Sequence, residues 1–163
     1  MSEPTRHEVF HGRLVSVEVW EGRYREIVRH PGSCAVVALV DGDVILVRQL
    51  REAVGERTLE IPAGTRDVEG EPAMECAARE LLEETGHRAV RIEPLASILM
   101  SPGFLDERVE LFLADVKPEG AHEDEIEVVL MPLEEAAAAV EDGRIRDAKT
   151  AVGLLLAVRR RAL

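Results

Sequence analysis

Residues 61–87 of this chain read IPAGTRDVEGEPAMECAARELLEETGH, and they predict the helix around which the rest of the fold is arranged. The run after Pro72 is rich in Ala, Leu, Met and Glu, which are good helix formers. Pro72 suits the first turn of a helix, because its missing N–H has no partner there in any case. Gly86 suits the end, since glycine adopts a left-handed backbone at little cost. We therefore predict one helix between these two residues.

Three carboxylates of the predicted helix project in related directions. At about 100° per residue, Glu80 and Glu84 lie one turn apart on nearly the same side, and Glu83 lies about 60° from Glu80. This acidic face borders an apolar arc that is made of Met74, Ala77, Ala78 and Leu81. A face that only solvates a helix more often lies opposite the core, and like charges four residues apart repel. We expect a bound cation, and carboxylates without thiolates or histidines favour Mg²⁺ or Mn²⁺.

This pattern resembles the signature of the Nudix hydrolases, which reads Gly, five residues, Glu, seven residues, then Arg-Glu-aliphatic-any-Glu-Glu-any-Gly-aliphatic. Glu71, seven residues and RELLEETG at 79–86 match it without a gap. Two positions depart: six residues, not five, separate Gly64 from Glu71, and His87 takes the last aliphatic position. By position, Glu71 and Arg79 would hold the loop and the helix together. The alternative is an acidic helix formed by chance, but charge runs usually lack such fixed spacing.

The Nudix resemblance implies that water cleaves a diphosphate linked to another group, with the help of a divalent metal. Glu80 and Glu84 would then be the principal metal ligands, Glu83 a further ligand or an organiser of the site, and the carbonyl of Ala63 a backbone ligand. Mg²⁺ is the expected cofactor, with Mn²⁺ as a substitute. Glu107 is a candidate for the general base that activates the water, because it lies on a loop able to close over the metals. Glu80 and Glu83 are the competing candidates.

Segments around the signature resemble the ADP-ribose pyrophosphatase subgroup of this family. They are Arg48–Arg51, Glu60–Gly64, Pro102, which follows Gly86 by 16 residues, and Asp106-Glu107. An ordinary turn is the alternative reading of Pro102-Gly103. The resemblance implies hydrolysis of ADP-ribose to AMP and ribose 5-phosphate. Other nucleoside diphosphate sugars, dinucleotide polyphosphates and a non-catalytic nucleotide-sensing module are the alternatives, and the complete set of glutamates disfavours the last.

The same resemblance implies where a nucleotide would bind. Arg51 is a candidate for the diphosphate, because a guanidinium matches phosphate geometry. In this subgroup the N-terminal strands commonly exchange across a homodimer and help to build the adenosine pocket, so we expect this of strands at about 8–30. The other residues expected to contact the nucleotide are Arg13, Leu14, Glu26, Ser101, Gly103 and Phe104. Trp20, Tyr24 or Phe104 is the candidate for stacking on adenine, with simple packing as the alternative.

Composition and charge limit what the chain does. Its 163 residues are enough for one domain with a single core, so we expect one Nudix domain over residues 1–163. A net charge of −12 disfavours a nucleic-acid polymer as partner, whereas a metal and local arginines permit a nucleotide. No apolar run approaches 18 residues, so we expect a cytoplasmic protein without a membrane partner. Cys34 and Cys76 lack metal-ligand spacing and are expected to be buried thiols.

Strands are predicted on both sides of the acidic helix. Residues 34–40 and 44–50 are apolar runs joined by Asp41-Gly42-Asp43, which is a strong hairpin signal, and both faces of this sheet should be covered. Weaker patterns predict strands at 14–20, 24–29, 58–62, 89–100, 109–116 and 126–131, and helices at 133–140 and 147–162. This mixture predicts an α/β fold, a three-layer α/β/α sandwich with a mixed sheet. The Nudix resemblance implies the same fold.

Overall fold

A computed structural model of the protein describes residues 5–22, 25–121 and 125–162. Its strands are β1 (Arg6–His11), β2 (Ser16–Trp20), β3 (Arg25–Arg29), β4 (Ser33–Val40), β5 (Asp43–Arg51), β6 (Glu56–Glu60), β7 (Ala63–Thr65), β8 (His87–Leu99), β9 (Arg108–Pro118) and β10 (Glu127–Pro132). Its helices are α1 (Ala73–Thr85), α2 (Leu133–Glu141) and α3 (Ala148–Arg161).

A seven-stranded mixed sheet forms the centre of the protein. Its main order is β10-β5-β4-β9-β8, with β6 paired to β5 and β7 paired to β4. Strands β4 and β9 run parallel, and the other pairs of this sheet run antiparallel. The predicted hairpin is confirmed, since β4 and β5 meet through Asp41 and Gly42, whose φ angles are 50° and 96°. Positive φ at both residues is what a two-residue type I′ turn requires.

Helices cover both faces of this sheet, which explains why β4 is apolar at nearly every position. Its residues at 35, 37 and 39 belong to a core cluster that includes side chains of α2 and α3. Its residues at 34, 36 and 38 belong to a second cluster that includes side chains of α1. Successive side chains of a strand point to opposite faces, so one strand serves both clusters. The predicted three-layer α/β/α sandwich is confirmed.

The ends of α1 follow the sequence signals closely. Pro72 is the residue before the first helical one, with an extended backbone, so the predicted start is shifted by one residue. Gly86 ends the helix at a φ of 68°, and its N–H donates to the carbonyl of Leu82 at 2.9 Å. A Cβ at Gly86 would also lie 2.4 Å from the carbonyl oxygen of Gly120. Glycine is therefore required there both by the backbone angle and by the close neighbour.

Strands β1, β2 and β3 form a separate antiparallel sheet. Its last strand, β3, is hydrogen bonded to the loop before β9: the N–H of Val28 donates to Phe104 at 2.7 Å, and the N–H of Asp106 donates to Val28 at 3.2 Å. The sequence predicted the second and third of these strands but not β1. Tyr24, a candidate for stacking on adenine, lies outside the described residues. None of the described helices is long and apolar enough to cross a membrane.

Candidate active site

Glu84 joins α1 to the short strand β7. Its carboxylate is 7% exposed, and its Oε2 accepts a hydrogen bond from the N–H of Ala63 at 3.1 Å. Ala63 is itself fixed, because β7 pairs with β4 at the centre of the sheet. The predicted carboxylate ligand and the predicted backbone ligand are thus brought into contact from positions 21 residues apart.

Glu80, one turn earlier on α1, lies directly on the backbone of Gly64. A Cβ built on Gly64 would come within 2.0 Å of the carboxyl carbon of Glu80. No side chain fits between them, so glycine at position 64 is what allows this carboxylate to approach the loop. Gly64, the glycine of the family signature, therefore leaves the space that the carboxylate of Glu80 occupies.

Arg79 links three carboxylates of the site. Its Nε and Nη2 donate to Glu71 at 3.0 and 3.2 Å, and its Nη1 lies 2.7 Å from Glu80 and 3.0 Å from Glu83. Hydrogen bonds from Arg79 lower the pKa of Glu71. The extra residue before Glu71 is accommodated in a loop in which Gly70 has a φ of 79°. The departure from the family spacing therefore leaves the Glu71–Arg79 pair intact.

The side chains of this site offer carboxylate oxygens, which are the ligands that hard divalent cations prefer. Burial raises the pKa of Glu80, the carboxylate of Glu83 raises it further, and Arg79 opposes both effects. A buried carboxylate next to another negative charge is stabilised in its ionised form by added positive charge. Among the described residues, no three acidic, histidine or cysteine side chains already surround a common point. Arg79 and Ala63 are instead the partners of these glutamates.

A cleft of about 620 Å³ opens beside β7 and reaches α3. Its wall includes Ala63 and Gly64 of the loop before α1, together with Arg51 and Glu107. Sequence reasoning had predicted roles for Ala63, Arg51 and Glu107. It had not predicted the other polar residues that the structure brings to this wall, which are His30, Ser33, Glu56, Thr58, Glu60, Thr65, Arg146, Asp147 and Lys149.

Glu107 is held in the cleft by Ser33, the first residue of β4, and lies near His30, which precedes that strand. Its Oε1 accepts a hydrogen bond from the hydroxyl of Ser33 at 2.6 Å. Nδ1 of His30 lies 3.9 Å from the same carboxylate and accepts a hydrogen bond from the N–H of Gly32 at 3.0 Å. Because Nδ1 of His30 accepts this hydrogen bond, it does not donate one to Glu107. Ser33 is therefore the direct partner that orients Glu107.

Glu60 is the most buried charged residue of the cleft wall, at 2% exposure. It accepts from Nε and Nη2 of Arg51 at 2.8 and 2.7 Å, from Thr58 at 2.5 Å and from Nζ of Lys149 at 2.5 Å. Burial alone would raise the pKa of Glu60, but Arg51, Lys149 and Thr58 together lower it to about 2. The carboxylate is therefore ionised at neutral pH and forms ion pairs with two side chains, Arg51 and Lys149.

The other predicted nucleotide contacts lie outside the described lining of this cleft. Arg13 and Leu14 are exposed in the connection between β1 and β2, and Glu26 is exposed on β3. Ser101, Gly103 and Phe104 belong to the loop before β9, where Phe104 is 53% exposed. The guanidinium of Arg6 lies 4.6 Å from the ring centre of Trp20.

The missed residues gave only weak signals in the sequence. Glu60 is an isolated charge between Leu59 and Ile61, which indicates a buried acid with a partner, but it does not indicate which partner. Lys149 lies 89 residues further along the chain, next to the residue that begins α3. A contact over this distance depends on how α3 packs, so spacing alone does not reveal it.

Comparison with known families identifies the domain to which these residues belong. The NUDIX domain profile matches residues 28–151, which include the acidic helix, the loop before it, Arg51 and Glu107. The match covers more than half of the chain. The chain therefore belongs to the NUDIX domain family.

Individual relatives cover most of the chain. An ADP-ribose pyrophosphatase of Bacillus subtilis is 37% identical over 163 residues, which is 91% of this chain and 88% of the relative. An ADP-ribose pyrophosphatase of Mycobacterium tuberculosis is 40% identical over 138 residues, which is 80% of this chain and 67% of the relative. The crystal structure of an ADP compounds hydrolase superposes with a TM-score of 0.80 at 26% identity, covering 98% of this chain and 94% of that one.

Proposed function

We propose that this chain hydrolyses ADP-ribose to AMP and ribose 5-phosphate with Mg²⁺ as cofactor. The observation that carries the proposal is the cleft in which the metal-site loop at Ala63 and Gly64 shares a wall with Arg51 and Glu107. A diphosphate needs positive charge and an activated water at the same place. The names of the relatives from Bacillus subtilis and Mycobacterium tuberculosis support ADP-ribose as the substrate.

The metal would be held by the carboxylates of Glu80 and Glu84, by Glu83 as a further ligand, and by the carbonyl of Ala63. When bound, a divalent ion neutralises charge on a diphosphate and lowers the pKa of a coordinated water. The space at Gly64, which a Cβ would fill, brings Glu80 close to the loop that carries Ala63. An oxygen-only donor set favours Mg²⁺, with Mn²⁺ as a substitute.

The side chains of the cleft have separate roles in this proposal. Arg51 binds the diphosphate, because its guanidinium is held side-on by Glu60 and is still 40% exposed. Glu107 accepts the proton of the attacking water, and Ser33 orients its carboxylate through the 2.6 Å hydrogen bond. Glu80 and Glu83 are the competing bases. Both carboxylates are already engaged by Arg79, at 2.7 and 3.0 Å, whereas Glu107 accepts from the neutral hydroxyl of Ser33.

The adenosine pocket is proposed to need a second copy of the chain. The sheet of β1, β2 and β3 exposes Val9 at 61% and Phe10 at 54%, and Leu14 beside it is 47% exposed. Apolar groups grouped in this way favour contact with another protein surface. We propose a homodimer in which strands at about 8–30 cover the partner's site. Arg13, Leu14 and Glu26 would contact adenosine there, together with Ser101, Gly103 and Phe104.

The oligomer is tested by light scattering during gel filtration. A dimer should give about twice the chain mass of 18.0 kDa. Substitution of Phe10 by Asp should shift the protein toward the monomer and weaken ADP-ribose hydrolysis, because a charge is costly in a buried apolar contact. A wild-type mass of one chain would contradict the dimer. The cytoplasm remains the proposed location, as the sequence led us to expect.

The activity is tested with a panel of nucleotides and chromatographic detection of products. The panel contains ADP-ribose, two other nucleoside diphosphate sugars and a dinucleotide polyphosphate, each with Mg²⁺, with Mn²⁺ and with EDTA. We expect the largest kcat/KM for ADP-ribose, with AMP as product, and no turnover in EDTA. A larger kcat/KM for another substrate would replace ADP-ribose in the proposal. Binding without turnover of any compound would favour a nucleotide-sensing module.

A further inference from the structure

We infer that Lys149 is a second cation that contacts the diphosphate, and that Glu60 is a positioning residue that holds Lys149 and Arg51 on one wall of the cleft. This inference rests on the proposed function, since it assumes that a diphosphate enters the cleft. It adds α3, a helix outside the family's acidic signature, to the substrate site.

Lys149 is placed by the first turn of α3. Asp147 caps the start of this helix, and its carboxylate accepts from the N–H of Thr150 at 3.0 Å. The side chain of Lys149 is only 12% exposed, and its Nζ donates to Glu60 at 2.5 Å and to Asp147 at 2.9 Å. An ammonium has three N–H groups. Two are engaged by these carboxylates, so one remains for a ligand in the cleft that Lys149 lines.

Arg51 presents donors to the same cleft from the other side of Glu60. The pair uses Nε and Nη2 of Arg51, and both of these atoms donate to the Glu60 carboxylate. A guanidinium has five N–H groups, so Nη1 and the second N–H of Nη2 are left for a phosphate. The hydrogen bonds described for Arg51 both go to Glu60. Two cations from β5 and α3 therefore flank one buried carboxylate at the wall of the cleft.

The cations are also fixed relative to the metal-site loop. Glu60 directly precedes Ile61, whose N–H donates to the buried hydroxyl of Thr150 at 2.9 Å. That hydroxyl in turn donates to Asp147 at 2.6 Å. The chain continues from Ile61 through Pro62 to Ala63, so the first turn of α3 is hydrogen bonded to the segment that leads into the metal site. A preorganised set of charges loses little freedom when a ligand binds.

Binding of a non-hydrolysable diphosphate separates contact from turnover. The ligands are α,β-methylene ADP-ribose, which keeps the negative charges, and adenosine, which has none. For Lys149→Met we expect the affinity for the analogue to fall about 10-fold or more, because a charged hydrogen bond is lost. The affinity for adenosine should stay within about twofold. Lys149→Arg should recover part of the loss, and Arg159→Met, an exposed cation in the last turn of the same helix, should match the wild type.

Two results would overturn the role of Lys149. An unchanged analogue affinity in Lys149→Met would show that the side chain does not contact the diphosphate. Equal losses for the analogue and for adenosine would show that it only maintains the fold. Failure of the proposed function is distinguishable, because then the wild type itself would neither bind the analogue nor cleave ADP-ribose.

The role of Glu60 is tested by a double-mutant cycle. Glu60→Gln should weaken binding of the analogue, and addition of Lys149→Met should cost less than it does alone, because the two residues act as one unit. Strictly additive losses would contradict a positioning role for Glu60. A loss confined to thermal stability, with unchanged analogue affinity, would contradict it as well.

Discussion

The N–H of Ala63 donates to the carboxylate of Glu84 at 3.1 Å, which ties the loop before α1 to the last turn of that helix. Glu84 is therefore a structural partner of the residue whose carbonyl is proposed to share the metal with it. The contact fixes the spacing between a backbone oxygen and a carboxylate, and a metal site depends on such spacing.

Replacement of Glu84 by Gln should lower kcat for ADP-ribose by at least about 100-fold, because one negative ligand of the metal is lost. The amide oxygen of Gln still accepts the hydrogen bond of Ala63, so the fold should survive. Steady-state rates at saturating Mg²⁺ and circular dichroism measure the two effects. Glu75→Gln, an exposed acid in the first turn of α1, serves as the matched control and should keep the wild-type rate. Near-native turnover of Glu84→Gln would refute its role as a ligand.

Replacement of Gly64 by Ala should displace Glu80, since the new Cβ would lie 2.0 Å from its carboxyl carbon. We expect kcat to fall by about 10- to 100-fold, because a shift of this size misplaces a catalytic group. The free energy of unfolding should fall by about 1–3 kcal/mol from overpacking. Gly120→Ala, where a Cβ meets nothing within 4 Å, is the control for both measurements. Equal kinetics of Gly64→Ala and wild type would show that this close approach is not needed.

Replacement of Glu107 by Gln should lower kcat by about 100-fold or more if it is the general base. Ser33→Ala removes only the 2.6 Å hydrogen bond that orients the carboxylate, so a smaller loss of about 3- to 10-fold is expected. The combination of both changes should be no worse than Glu107→Gln alone. Full activity of Glu107→Gln would leave Glu80 or Glu83 as the base.

Acidification should weaken the fold through Glu60. Burial raises its pKa, but Arg51, Lys149 and Thr58 lower it to about 2, below the value of about 4.3 of an unfolded glutamate. Between about pH 5 and pH 2, the carboxylate of Glu60 therefore binds a proton in the unfolded chain more readily than in the folded one. The free energy of unfolding decreases as the pH is lowered through this window. We expect the loss in wild type to exceed that in Glu60→Gln by on the order of 2–3 kcal/mol, measured by urea unfolding.

The exposed control for this pH dependence is Glu69→Gln, since Glu69 lies in the loop before α1. It should keep the wild-type slope of unfolding free energy against pH. Parallel slopes for wild type and Glu60→Gln would show that the Glu60 ion pairs add no stability at neutral pH.

Local chemistry made much of the fold predictable. Asp41 and Gly42 require a tight turn between two apolar runs, and the hairpin of β4 and β5 is found there. Gly86 ends α1 as expected, because the left-handed angle is a property of the residue itself. Strand β1 was missed because all six of its residues are exposed, so that no alternation of burial marks it. The strand predicted at 89–100 is found as β8, but its register with β9 shifts at two irregularities, between Ala89 and Arg91 and between Pro94 and Ala96.

The sequence by itself determined the acidic face of α1, since the spacing of Glu80, Glu83 and Glu84 on a helix follows from the rise and turn of its backbone. Only the tertiary structure decided what this face meets: the backbone of Gly64, the N–H of Ala63, and a cleft that α3 completes with Lys149. Contacts of this kind join residues up to 89 positions apart. They depend on how the layers pack around one core, which local propensity does not encode.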